Sequence, residues 1–207
     1  MCLPAAEEVG LHFRDKVRGW RLKNTLTIIH EAKQMLEKRG NPELLHAHPR
    51  VAIKVIQEGS CVDSPDLQKM WAGLLASSCT KDGTDETSLI FVNILTQISS
   101  VQARMINYMT QESVKRFYAR LPNYNPVTIE VSTLCDIAGL TDTSILEREL
   151  NHLGYLGLIF NQELGSANQT DKYRITIKDV TLRLCARCNG YDSYAEWSRL
   201  YDVPNNS

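Results

Sequence analysis

Pro65 to Cys79 reads PDLQKMWAGLLASSC, and the rest of the chain is best understood outward from it. Ser64 is a helix-capping residue, Pro65 suits a first helical turn, and Asp66 meets the positive end of the helix dipole. Leu67, Met70, Trp71, Leu74 and Leu75 recur at helical spacing, while Ala72, Gly73, Ala76 and Ser77 beside them are small. A broad apolar face centred on a tryptophan and bordered by small residues predicts a helix that other helices approach closely.

The same stretch resembles the signature of the Abi-alpha proteins, bacterial factors named for abortive infection. DKVRGWRLKN and the amphipathic run after it resemble that family's first helix, PRVAIKVIQEGS its second, and FVNILTQISSVQARMINYM its hand-over into a C-terminal region. The resemblance runs from about Glu8 to Cys188 and rests on packing motifs that carry no chemistry. It implies a part in abortive infection, in which an infected bacterium stops growing or dies before phage are released.

Size and composition are those of an ordinary globular chain: 207 residues, 43% hydrophobic and 23% charged, with a net charge of -1. Such a balance gives no global attraction to nucleic acid or anionic lipid, so either role would need a local patch. The first residues, MCLPAAEEVG, lack a basic start and apolar core, and no run reaches the eighteen or so apolar residues of a membrane span. The expectation is a cytoplasmic protein. Its six scattered cysteines are expected to be reduced thiols. Cys185 and Cys188 have zinc-knuckle spacing, but no second pair or neighbouring histidines complete four ligands, and the pair falls late in a predicted helix rather than in a thioredoxin-like turn.

Taken in order, Leu11 to Arg39 predicts one long helix ended by Gly40-Asn41-Pro42, with Leu22, Leu26, Ile29 and Leu36 on one stripe and Phe13, Val17, Trp20, Ile28, Ala32 and Met35 on the adjoining one. Its first half carries Arg14, Lys16, Arg18, Arg21 and Lys23 against Asp15, a candidate patch for an anionic partner, although a charge run on a helix is more often a solvated face. Pro49 to Glu58 predicts a short helix with Val51, Ile53, Val55 and Ile56 mostly inward. His46 and His48 before it would chelate a metal only from an extended loop with a third ligand. Asp82, Asp85 and Glu86 lack calcium-loop spacing and read as loop solvation. Helices follow over Glu86 to Ile98 and from a Ser99 or Ser100 cap to about Leu121, where Pro122 to Pro126 breaks the chain.

From Val127 the sequence predicts a short helix, a turn at Gly139, a second helix over Thr141 to Leu153, and two strands, Leu158 to Phe160 and Tyr173 to Ile177, around the polar loop GSANQTD. Asp179 to Cys188 and Tyr191 to Tyr201 predict closing helices, and VPNNS a tail. The expected fold is mainly α: an N-terminal helical domain (1–99), a winged-helix-like C-terminal domain with a small β-hairpin (100–190), and a C-terminal helix and tail (191–207). The break at Pro122 to Pro126 is the alternative boundary.

No nucleophile elbow, phosphate loop, Rossmann fingerprint or zinc-protease helix occurs, so no catalytic residue, cofactor or metal ligand is assigned. Glu149 and His152, three apart on a helix, are neighbours of a common surface type. These readings favour a non-enzymatic binding or regulatory module with a protein partner, a second copy of itself included. The alternative is a winged-helix DNA-binding regulator, and a third is an enzyme with an unfamiliar site. Charge weighs against DNA: the second helix carries Asp142, Glu147 and Glu149 against Arg148, with Asn151 able to read a base, and the hairpin offsets Lys172 and Arg174 with Glu163 and Asp171.

Overall fold

The computed structural model describes residues 3–40, 44–121, 125–164 and 172–202, with side chains from Phe13 onward and excluding 161–164. Cys2, the Asn41-Pro42 stop, Pro122 to Tyr124, the loop 165–171 and the tail 203–207 lie outside the described residues. Among those described, the chain is mainly helical, with two small sheets.

Helix α1 (Leu3–Arg39) leads to a two-residue strand β1 (His46–Ala47), then α2 (Pro49–Gly59) and α3 (Pro65–Ser77). Residues at and beyond Ser78 leave the helix, and Cys79–Thr80 forms β2, antiparallel to β1. Helix α3 is the centre. Leu67, Met70, Trp71, Ala72, Gly73, Leu74, Ala76 and Ser77 are buried along it, so it is enclosed on nearly every side rather than along one stripe. It packs against α1, α2, α4 (Leu89–Leu95), α5 (Ser100–Tyr118) and α8 (Asp179–Cys188).

The small residues explain that enclosure. A Cβ built on Gly73 falls 1.8 Å from the carbonyl oxygen of Cys188, so α3 and α8 touch backbone to backbone at this point. A Cβ on Gly59, at the end of α2, falls 2.8 Å from Ile28 Cδ1 and 3.1 Å from Trp71 Cγ, so the glycine lets the indole seat between α1 and α2. Trp71 itself is 1% exposed, as its central position predicts, and among the described residues its Nε1 has no hydrogen-bond partner.

Each of the two apolar stripes of α1 is divided between core and surface. Ile28 and Ala32 are buried and Met35 and Leu36 pack against the core, whereas Phe13, Leu22, Leu26 and Ile29 face outward. Helix α4 is shorter than the pattern of Glu86 to Ile98 suggests: Asp85 accepts from the Thr87 N–H in the turn before it, and at its far end the Thr96 hydroxyl donates to the Asn93 carbonyl. Helix α5 starts with a reciprocal capping box in which Gln102 N–H donates to Ser99 Oγ and Ser99 N–H donates to Gln102 Oε1.

The expected helix from Val127 needs correction. Val127–Glu130 is a strand, β3, and the helix α6 runs over Val131–Ala138. Val127 and Ile129 are buried while Thr128 and Glu130 are exposed, a period-two pattern short enough to be overlooked ahead of an apolar helix. Gly139 ends α6 with φ +68° in the left-handed region, as the turn there requires. Helix α7 (Thr143–Tyr155), capped by the Asp142 carboxylate, buries Leu146, Leu150 and Leu153. The strands β4 (Ile159–Leu164) and β5 (Lys172–Ile177) complete an antiparallel sheet of order β3-β5-β4. Helix α8, α9 (Tyr194–Ser198) and a 3-10 turn (Arg199–Tyr201) close the chain. One buried cluster extends from Ile28 through Trp71 and Met105 to Leu150, Ile175 and Trp197.

Candidate functional site

The five basic residues of α1 do not form one patch. Arg21 is exposed but already engaged: its Nε donates to Ser60 Oγ at 3.0 Å and its Nη2 to the Gln57 carbonyl at 3.2 Å, fastening α1 to the end of α2. Arg14 pairs with Asp15 at 3.6 Å. Lys16, Arg18 and Lys23 are exposed and have no ion pair among the described residues. Arg18 stands four residues before Leu22 and therefore shares its face. Leu22 and Leu26 are each 58% exposed and Ile29 46%, giving an unpartnered apolar stripe of two turns bordered by free cations.

Helix α7 and the sheet present a different surface. Thr143, Ser144, Glu147, Arg148, Asn151 and Tyr155 are exposed. Arg148, the cation there, is held by Glu149 at 2.8 Å. Lys172 is paired with Glu130 at 3.3 Å, and Lys178 lies 5.9 Å from the centre of the Phe160 ring. Arg174 is exposed, while Glu163 and Asp171 fall outside the described side chains. Glu149 and His152 point back at the start of α5: Ser99 Oγ donates to Glu149 at 3.4 Å, and His152 Nδ1 lies 2.8 Å from Gln102 Nε2. They join α7 to α5 through hydrogen bonds that α5's own cap residues supply.

The other polar residues singled out in the sequence also have local partners. His48 caps α2, its Nδ1 accepting from the Arg50 N–H at 3.2 Å, and His46 sits in β1 opposite Thr80. Asp82 accepts from Thr80 and Thr84 hydroxyls at 2.8 Å each, and those bonds, Thr84's first, hold its carboxyl below the usual range. Asp85 accepts from Thr87 N–H at 2.8 Å, and its hydrogen bonding with Thr87 lowers it likewise. Glu86 lies 3.4 Å from both His48 and Arg50. Cys185 and Cys188 are buried in α8, one against Thr110 Oγ1 at 3.4 Å. Burial pushes the Cys185 thiol up to about 12 and the Cys188 thiol well above its ordinary value, so both are protonated and unreactive at neutral pH. Among the described residues no three His, Cys, Asp or Glu side chains gather as a metal site, and no helix is long and apolar enough to cross a membrane.

Two clefts draw on residues that linear spacing does not connect. One, of about 420 Å³, lies between α4 and the α8–α9 connection. Its buried Arg187 donates to Ser88 Oγ and lies 3.6 Å from Asp85, while Arg183 pairs with Asp179 at 2.6 Å, so the charges there compensate one another. The other, of about 580 Å³, is walled by the last turn of α1, by Lys69 of α3 and by the segment from Asn189 to Tyr201. Arg39 braces it, donating to the carbonyls of Ala76 and Gly190 at 3.4 and 3.2 Å and pairing with Asp192. Three separate segments contribute to this second cleft, and nothing in their sequences signals that they meet.

The packing geometry at Trp71 and Gly73 belongs to the stretch whose resemblance to the Abi-alpha signature was noted, and that at Gly59 to the run resembling the family's second helix; a wider comparison agrees with it. Searches of curated proteins and of solved structures find no match. The family model described as abortive infection alpha matches residues 23–188, from the middle of α1 to the end of α8, and the chain belongs to that family.

Proposed function

We propose that the protein is a non-enzymatic binding module of abortive infection that acts through a protein partner seated on α1. Family membership supports the defence role. The observation that carries the binding role is the exposed stripe of Leu22, Leu26 and Ile29. An apolar helix face of this kind, left without a partner among the described residues, is the surface an amphipathic helix docks on. Lys16, Arg18 and Lys23 border it without acidic partners among the described residues, so the occupant is an acidic amphipathic segment of another protein.

The helix–strand–helix–helix–hairpin order of α5, β3, α6, α7, β4 and β5, with the strand order β3-β5-β4, supports a winged-helix arrangement. That topology is what keeps a DNA-binding regulator as the second reading. Pairing of Arg148 with Glu149 and of Lys172 with Glu130 favours the first, because it leaves the second helix and the sheet few unspent cations for phosphates.

The test is phage challenge of cells carrying the wild type or the double variant Leu22→Asp, Leu26→Asp. Both positions are exposed, so the variant is expected to melt within a few degrees of the parent. Wild-type cells should cease growth with a reduced burst, and the variant should lose that protection. Protection unchanged in the variant, or wild type that sediments with anionic vesicles instead of protein, overturns the reading. Elution as a dimer that the variant abolishes replaces the acidic partner by a second copy.

A further inference from the structure

We propose that the cleft between the end of α1, α3 and the C-terminal segment binds a small organic anion built on a planar ring, of the nucleoside monophosphate type. This goes beyond the partner surface on α1 and does not depend on it. At about 580 Å³ the cleft is within the roughly 300–1,000 Å³ typical of small-ligand pockets.

Charge is the first argument. Lys38 from α1 and Lys69 from α3 enter the same cleft, and neither has an ion pair among the described residues. Among the described residues Glu196 is the one carboxylate lining it, and the third cation, Arg39, is occupied by Asp192 and two carbonyls. Two lysines from different helices that line one cleft without an ion pair among the described residues leave positive charge there for an anion to meet. A solvated face would not bring them to one concavity.

The rings are the second argument. Tyr191 and Tyr201 line the cleft half-buried, so each has ring surface open to it. Trp197 backs them, 2% exposed and edge-on to Tyr201 with centroids 5.6 Å apart, which fixes the tyrosine ring in place. A planar heterocycle stacks on such a ring whatever its identity, because every base has a π-face.

Rigidity is the third. Arg39 ties α1 to α3 through Ala76 and to the C-terminal segment through Gly190 and Asp192, and a Cβ on Gly190 would stand 3.2 Å from Met35 Sδ. The walls are therefore set before a ligand arrives, which lowers the entropic cost of binding.

Isothermal titration calorimetry of the full chain with AMP, GMP, UMP and dTMP, with adenosine and inorganic phosphate as controls, tests the assignment. At least one monophosphate should bind with Kd below about 1 mM, and each control at least tenfold more weakly than AMP or its best analogue. The double variant Lys38→Ala, Lys69→Ala should weaken binding tenfold or more, Tyr201→Ala should weaken it while Tyr201→Phe retains most of it, and Glu196→Gln should tighten it. Both lysines are exposed, so an unchanged melting temperature separates loss of binding from loss of fold. No heat from any monophosphate, or binding indifferent to the lysine pair, overturns the proposal. Adenosine binding as well as AMP removes the anion from it, and phosphate binding as well as AMP removes the ring.

Discussion

Replacing Gly73 by alanine sets two opposed effects against each other, and the structure says which is larger. In an exposed helix the change is stabilising by about 1 kcal/mol, because alanine loses less backbone freedom on folding. At Gly73 the new methyl would lie 1.8 Å from the Cys188 carbonyl oxygen, 2.3 Å from its carbon and 3.0 Å from Asn189 N. A comfortable carbon-to-oxygen contact is about 3.3 Å, so the shortfall is roughly 1.5 Å. All three atoms are backbone and no rotamer change relieves the contact, so α3 and α8 must separate. A gap of 0.5–1 Å already forfeits about a quarter to a half of a dispersion contact, and the contacts beside Gly73 include the buried Leu74, Cys185 and Cys188. Overpacking ordinarily costs about 1–3 kcal/mol and here exceeds the usual case, so Gly73→Ala is expected to lose about 2–4 kcal/mol after the propensity gain is subtracted. For a chain of this length that is a fall in Tm of about 5–15 °C. Gly19→Ala is the control: it sits on an exposed part of α1 with nothing within 4 Å of the added Cβ, and should raise helicity or Tm slightly. Thermal unfolding followed by circular dichroism measures both. A Gly73→Ala protein that melts at or above the parent temperature would refute the close approach of α3 and α8.

Trp71→Ala should cost roughly 3–5 kcal/mol, the range for a truncated core aromatic, and Trp71→Phe clearly less, since the indole N–H has no partner to lose; equal losses in denaturant titrations would contradict this. Random duplex DNA should bind no more tightly than about 10⁻⁴ M at physiological salt by fluorescence anisotropy, and salt-sensitive micromolar binding lost in Lys172→Ala, Arg174→Ala would promote the DNA-binding reading. In native protein at pH 8, iodoacetamide should label Cys61, which is exposed, and spare Cys185 and Cys188 until denaturant is added; peptide mass spectrometry showing equal labelling would contradict their burial. Asp85 has a folded-state value depressed by its bonding to Thr87, so its contribution is present above the unfolded carboxylate range near pH 4 and is lost as pH falls further; Asp85→Asn should flatten that acid limb in Tm measured from pH 7 to 3, and an unchanged limb would count against the Thr87 contact.

Much of the helical scaffold was legible because its signals are local. The serine cap at Ser99 or Ser100, Gly139 after α6, Pro65 opening α3 and Asp179 opening α8 each act within one turn of the backbone, and the structure has elements beginning or ending there. The strand over Val127–Glu130 was missed for the opposite reason. It is four residues long and is held by its antiparallel register with β5, Val127 opposite Ile175 and Ile129 opposite Tyr173, about 45 residues further on. Its alternation is too short to outweigh the apolar helix that follows.

By itself the sequence determined that α3 is a buried packing helix, that α1 carries more apolar surface than one face needs, and that the chain resembles the abortive infection alpha family, because spacing at 3.6 residues and small-residue borders are properties of consecutive residues. Which residues of the two α1 stripes the core takes was decided by tertiary structure: Gly59, Trp71 and α3 receive Ile28 and Ala32, leaving Leu22, Leu26 and Ile29 outside. Tertiary structure also turned Arg21 from a candidate anion contact into a tie to α2, and brought Lys38, Lys69, Tyr191 and Tyr201 to one cleft. The physical reason is the same in each case: a side chain's charge or apolarity is fixed by its own residue, but whether it is spent or left free depends on what another segment, tens of residues away, puts beside it.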